Sequence, residues 1–341
     1  MDSMMLYNII YALAARDGRE AVLFDSNYAA LAREAFAKSL AGNYFPELWF
    51  EFPLKGDPWL DLHALVARED LNPQMVFDPN TCGGVPDVFA WFAKQDYSAR
   101  QLALSWDTSS GDTCDPAVQL LRRADNTRLT CDFLVAAQRS DAVAAYEAFE
   151  GRLPESWFAC YTGVFPKRST PFLRVECIPD EERQKAYADD PQLLADDLRQ
   201  VGLADLGSTL VPRCQAFAAT PFHLEFQFDV TPEGTAGPTF SASLRFASFS
   251  EEGPWEPYDT NGAAGDLMRL VETWGLSDDR WRLIEDTMFS KRVHFGEEEK
   301  MLYCLPTFLK LRWRDGEPLD AKFYLIAGLQ DCEGEGGATQ P

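Results

Sequence analysis

Positive charge is scarce in this chain. Across 341 residues, 31 lysines and arginines face 54 aspartates and glutamates, and the formal net charge is −23. Nucleic acid and anionic membrane are polyanions, so neither is an expected partner of such a surface. A local basic pocket for a small anion stays open. Paired cysteine spacing is also missing. None of the eight cysteines forms a CxxC pair, and no Cys/His ligand spacing occurs, so no metal site is expected. A chain of this length needs no disulfide staples, and reduced thiols in a cytoplasmic protein are the expectation. Long apolar runs are lacking as well. The stretch MMLYNIIYALAA is too short to cross a bilayer and has Asn8 inside it, so it reads as a packed helix. No HExxH, GxSxG or aspartate-rich metal motif is present. DTSSGDT, at 107–113, lacks the lysine of a phosphate-binding loop, and TCGGVP reads as a turn.

What the chain does have is apolar and aromatic content, 46% and 13%, enough for a large core. It is patterned. In FHLEFQFDV, Phe222, Leu224, Phe226, Phe228 and Val230 alternate with His223, Glu225, Gln227 and Asp229. A period of two predicts a β-strand with one apolar and one polar face. The same division recurs. Arg174 and Glu176 oppose Leu173, Val175 and Cys177; Ser243 and Arg245 oppose Ala242 and Leu244. Lys310 and Arg312 oppose Leu309 and Leu311, Lys322 and Tyr324 oppose Phe323, Trp49 and Glu51 oppose Phe50, and Asp61 and His63 oppose Leu62. Tyr161 joins the polar set from WFACYTGVF, and LTCDFLV reads as a further strand presenting Asp132.

Amphipathic helical stretches separate these strand pairs. They include Tyr28–Leu40, PDVFAWFAKQ, DAVAAYEAFEGRL, PQLLADDLRQVG and AAGDLMRLVETWG, with PAVQLLRRA as a possible short helix. The cadence is α–β–β, five times over, with about ten strands. KGDP, FPKRSTP, TPEGTAGP and RDGEPLD mark hairpin turns. No Ser/Gly linker divides the chain, so residues 1–330 read as one α+β domain and the Gly-rich tail, 331–341, as disordered. An open sheet of ten strands would leave two long edges. Closure removes them, so the expected architecture is a ten-stranded antiparallel β-barrel inside a ring of α-helices, its polar faces lining a lumen. The alternative is a flat sheet with helices on one side and a polar face that serves as a protein-interaction surface.

This cadence resembles the ABBA prenyltransferases, the PT-barrel family, over roughly residues 28–328. The run LWFEFPLKGDPWLDLHAL is similar to that family's first hairpin. The stretch from LLADDLRQVG to FHLEFQFD, followed by FSASLRFA, resembles its fourth unit, and AKFYL its closing strand. The resemblance implies transfer of an isoprenyl group from an allylic diphosphate to an aromatic molecule or a peptide side chain, inside the barrel. Arg174, Arg245, Lys310, Arg312, Lys322 and Tyr324 would then hold the diphosphate, because cations on the leaving group assist ionisation of the C–O bond. Tyr161 and Tyr324 would face the allyl cation. Glu51, or His63, would accept the acceptor's proton. Trp49, Asp61, Glu176, His223, Glu225, Gln227, Asp229 and Ser243 would line the lumen. No cofactor is required, and magnesium would enter only with the diphosphate. The chain departs from the family in three respects: its second unit, where QLALSWD offers Gln101, Ser105 and Asp107, has no basic lumenal residue, tyrosines are sparse on the inner face, and acids outnumber bases there. Seven acids, Glu51, Asp61, Asp107, Asp132, Glu176, Glu225 and Asp229, oppose five lumenal bases. Internal ion pairing would favour the alternative, a catalytically inactive barrel of the same fold that binds a small molecule or peptide.

Overall fold

Strand alternation turns into architecture through hydrogen-bond register. The computed structural model describes residues 3–14, 26–40, 45–68, 71, 84–95, 99–108, 116–122, 126–165, 173–246, 258–295 and 298–331. The strands are β1 (Glu47–Pro53), β2 (Asp61–Ala67), β3 (Ala99–Trp106), β4 (Ala117–Arg122), β5 (Trp157–Val164) and β6 (Leu173–Pro179). They continue with β7 (His223–Val230), β8 (Ala236–Arg245), β9 (Phe289–Phe295), β10 (Glu298–Arg314) and β11 (Glu317–Asp331). Strands β1 to β8 pair in sequence order, β8 pairs with β10, β10 with β11, and β11 returns to β1. Every pairing is antiparallel, and the ring closes as a ten-stranded barrel.

β10 and β11 are about twice the length of most other strands. Beyond a register shift at Pro306/Phe308, β10 leaves β8 and pairs with β9 instead, from Cys304↔Phe289 to Glu298↔Phe295. A three-stranded collar of β9, β10 and β11 therefore extends one end of the barrel. The opposite end carries the tight hairpins. At RDGEPLD the turn uses Asp315 and Gly316 with φ of 51° and 73°, the left-handed pair that matches strand twist. A Cβ on Gly316 would lie 2.6 Å from the backbone nitrogen of Gly207, so this turn needs glycine for space as well as for φ. Asp331, expected at the start of the tail, ends β11, while 332–341 and residues 166–172, which include most of FPKRSTP, lie outside the described residues.

The helices are α1 (Ser3–Ala14), α2 (Ser26–Leu40), α3 (Val85–Phe92), α4 (Thr127–Ala136), α5 (Val143–Glu150), α6 (Glu181–Asp189), α7 (Pro191–Gln200), α8 (Leu210–Ala218) and α9 (Ala263–Thr273). They cover the apolar side of the sheet. Phe50 of β1 meets Tyr7 of α1 at 6.0 Å between ring centroids, Trp106 of β3 meets Phe36 of α2 at 5.4 Å, and Phe228 of β7 meets Phe149 of α5 at 5.5 Å. Among the described residues, no helix is long and apolar enough to cross a membrane.

Two local readings are corrected. RLTCDFLVA is not a strand but helix α4, started by Asn126, whose side chain accepts from Leu129 N. Its Leu129, Phe133 and Leu134 face inward at helical spacing, while Asp132 lies outside the barrel, ion-paired with Arg128 one turn away at 2.9 Å. PAVQLLRRA is not a helix, since Ala117–Arg122 form β4 between β3 and β5. The segment DRWRLIEDTMF is broken into a 3₁₀ turn, Asp279–Leu283, and one short helical turn, Ile284–Thr287.

The structural core thus lies between barrel and helices, not inside the barrel. Phe226 on β7 is fully buried there, against Trp157, Phe240 and Tyr187. Phe226→Ala should lower unfolding free energy by about 3–5 kcal/mol, the range for a deleted core aromatic. Chemical denaturation with matched slopes would read the loss. A change below about 1 kcal/mol would show that this face is not the core.

Candidate functional site

The lumen keeps the surface that a core would lose. Along β6, Leu173, Val175 and Cys177 are buried, while Arg174, Glu176 and Ile178 between them stay partly accessible. β5 starts the same way, with Trp157 and Ala159 buried and Phe158 partly accessible. On β6 the inward side chains keep some exposure that the outward ones lose, and register with β6 and β8 puts Glu225, Gln227 and Asp229 on that same side. Glu225, Gln227 and Asp229 are buried residues of the inner wall, and His223 stands at the collar end.

Neighbouring strands bring opposite charges together inside the barrel. Arg174 on β6 donates to Asp229 on β7 at 2.7 Å, in direct register. Arg245 on β8 pairs with Glu225 on β7, and Arg312 on β10 pairs with Asp320 on β11. Lys322 on β11 lies 2.6 Å from Glu51 on β1 and 3.8 Å from Asp61 on β2. Its ammonium also sits over the Trp59 ring, 4.2 Å from the centroid. Lys310 differs from these four cations. Its hydrogen bonds go to neutral groups, to Tyr324 at 2.5 Å and Gln227 at 3.3 Å.

The carboxyls divide by surroundings. Burial pushes Glu51 up, but Lys322, the His63 hydrogen bond and Lys310 outweigh it and hold Glu51 well below the usual carboxylate range. Asp61 goes the other way. Burial, with Asp107 and Glu51 nearby, keeps it well above that range despite Lys322 and the Thr108 amide. Glu176 is also raised, first by burial and then by its hydrogen bond to Glu225 and that group's charge. It accepts from Gln227 at 2.7 Å. Lys310 is lowered to about 8. Burial is the main cause, Arg174 and Lys322 add to it, and Glu51 and Glu176 oppose it. Burial and Arg245 lower His223 to about 4, which keeps its ring neutral at physiological pH.

A second network crosses β1 to β4. His63 Nε2 lies 3.2 Å from Glu51 Oε2, and His63 Nδ1 lies 2.5 Å from Ser105 Oγ. Gln119 Nε2 donates to that Oγ at 2.6 Å. The aromatic lining is thin. Trp49 meets Phe308 at 5.3 Å between centroids and Phe308 meets Tyr324 at 6.0 Å, while Tyr161 pairs in register with Glu176. Ser243 is buried between Glu225 and Lys310, its register partners, and its hydroxyl has no hydrogen-bond partner.

In register, Glu51 faces Tyr324 and Asp61, Trp49 faces His63, Arg174 faces Asp229, Glu176 faces Gln227, and Ser243 faces Glu225 and Lys310. The sequence pattern does not mark Gln119, because PAVQLLRRA reads as a possible short helix, or Asp320, which is the last residue of the turn signal RDGEPLD. Among the described residues, no group of three or more His, Cys, Asp or Glu side chains could hold a metal ion. The described cysteines, Cys131, Cys160, Cys177, Cys214 and Cys304, are free thiols. No protein-family model matches the chain, and no curated protein matches it.

Glu176 supplies a test with a definite sign. An unfolded glutamate releases its proton above about pH 4.5, whereas the folded chain holds the proton to a higher pH. Between those two values the folded state is penalised by about 1.4 kcal/mol per pH unit. Glu176→Gln should therefore stabilise the protein at pH 7 and change little at pH 4. Thermal unfolding at both values would show it, and a variant less stable at pH 7 would contradict the assignment.

Proposed function

We propose that the lumen is a small-molecule site whose residues suit isoprenyl transfer from an allylic diphosphate to an aromatic or peptide acceptor. The observation that carries this reading is the cluster of Lys310, Lys322, Tyr324, Glu51 and His63 on one side of an enclosed polar space. Lys310 sits 4.8 Å from the Tyr324 ring centroid, and Lys322 bridges to Glu51. In the reaction the allylic C–O bond breaks and diphosphate leaves with the electron pair. The acceptor carbon then bonds to the allyl carbon and loses a proton. Lys310 is the cation best placed to meet the leaving group, because no carboxylate has to be displaced from it. Tyr324 adds a hydroxyl donor and a ring face for the cation. Glu51, held ionised by Lys322, is the proton acceptor, and His63 orients it. Burial raises Asp61 and Glu176 above the usual carboxylate range, which favours their neutral forms and lessens the repulsion of a diphosphate.

A second reading is favoured by the remaining cations. Arg174, Arg245 and Arg312 each face a carboxylate on a neighbouring strand, and Lys322 faces two. Such pairs resist opening, because releasing one partner strands the other in a poorly solvated place. On this reading the barrel binds a small molecule or peptide without catalysis.

Calorimetry with dimethylallyl and geranyl thiolodiphosphate separates the two. Transfer predicts binding that weakens at least about tenfold in Lys310→Met, the loss of one charge-assisted hydrogen bond. The sign with pH is fixed as well. Lys310 is charged below about 8, so affinity should hold at pH 7 and fall as pH rises through 8. The Lys310→Met variant should lack that fall. No heat at millimolar ligand would select the non-catalytic reading.

A further inference from the structure

The network through β1 to β4 has a direction. Gln119 Nε2 can only donate, so Ser105 Oγ accepts from it. The serine proton is then left for the other short contact, 2.5 Å away at His63 Nδ1. With Nδ1 accepting, the imidazole proton sits on Nε2 and points at Glu51 Oε2, 3.2 Å off. Glu51 is pinned from its other oxygen by Lys322 at 2.6 Å. Amide, hydroxyl, imidazole and carboxylate thus align their hydrogen bonds in one sense. Strand register holds them there. His63 is the direct partner of Ser105 across β2 and β3, and Glu51 and Gln119 lie one residue pair along on the same face of the flanking strands.

We propose that Ser105, His63 and Glu51 form a serine–histidine–glutamate relay that opens small activated acyl esters in the lumen, an activity independent of isoprenyl transfer. Ser105 Oγ bonds to the ester carbonyl carbon as its proton passes to His63 Nδ1. The carbonyl π electrons move to oxygen and form a tetrahedral oxyanion. Its collapse breaks the bond to the alcohol, which leaves with the electron pair and takes the proton from His63. Water then releases the acyl group by the same route, giving acid and alcohol. Either imidazole nitrogen can act as the base provided the other carries the proton, and Glu51 holds that tautomer. An oxyanion needs donors, and the backbone amides here are committed to β-ladders on both sides of β3. The donor must come from a side chain, and the Gln119 amide, already beside the nucleophile, is the group in position. Ser105 and the His63 side chain keep 8% and 16% of their surface exposed, the access that a small reagent would need.

Diisopropyl fluorophosphate tests this directly. Ser105 Oγ bonds to phosphorus, fluoride leaves with its electron pair, and the serine proton goes to His63. The expected result is one phosphoryl group per chain, mapped to Ser105 by peptide mass, and none in Ser105→Ala. His63→Gln should slow labelling at least about a hundredfold, the scale of lost general-base assistance. Glu51 acts through His63 and is a positioning residue. Glu51→Gln should lower the limiting labelling rate without moving the half-saturating reagent concentration, a split that a packing defect would not produce. Circular dichroism would confirm that each variant is folded. No adduct on Ser105 after hours in millimolar reagent, or an unchanged rate in folded His63→Gln, would overturn the proposal. Either result leaves thiolodiphosphate binding as a separate question.

Discussion

Ring closure is the constraint on which the rest depends. β11 bonds to β10 on one side and β1 on the other, so the last strands of the chain complete a wall begun by the first. A closed sheet has only an inside and an outside. The helices take the apolar side, since their own apolar stripes have no other partner, and the charged side is left to face itself. Were the β1–β11 seam absent, Glu51 would lose its nearest cation, because Lys322 comes from across that seam. Charge state at the site is thus a product of topology.

The lumen shows how such an interior tolerates so many ionisable groups. Most cations meet an acid on the next strand in register or one residue pair away, a placement that costs little side-chain freedom. The acids left over are pushed toward their neutral forms: burial raises Glu176, helped by Glu225, and burial raises Asp61 against the pull of Lys322 and the Thr108 amide. Two features stand apart from these pairs: Lys310 with its neutral hydrogen-bond partners, and the line from Ser105 through His63 to Glu51. They occupy the same sector of the wall, across β1, β2, β3 and β10, so a guest there would meet both a cation poised to titrate and an oriented hydroxyl.

Much of this was legible in the chain because a two-residue period allows only two faces. Once Phe226 and Phe228 go outward, Glu225 and Gln227 go inward, and the same holds for Arg174 with Glu176 and Lys322 with Tyr324. The failures have one physical source. LTCDFLV places apolar side chains at both strand and helix spacing, and only the Asn126 cap decides for the helix. AVQLLR is too short for its period to be read, so Gln119, the donor to Ser105, was hidden. Pairing partners were illegible for another reason. Arg174 is two residues from Glu176, yet it chooses Asp229, 55 residues away, because the choice is made by register and not by proximity along the chain. Collar strand β9, FSKRVHF, is harder to read because Lys291 interrupts the apolar alternation of Phe289, Val293 and Phe295, while its basic side chains are exposed.

The collar also makes the two mouths of the barrel unlike. One is trimmed by hairpins at Lys55–Pro58 and Asp315–Gly316, and the other is overhung by β9 and the long arms of β10 and β11. Near the hairpin rim lie Asp61, Lys322 and the Arg312–Asp320 pair; toward the overhang lie His223, Arg245 and Phe308. The barrel interior therefore has polarity, and any guest with a distinct head and tail would have two non-equivalent ways to lie in it.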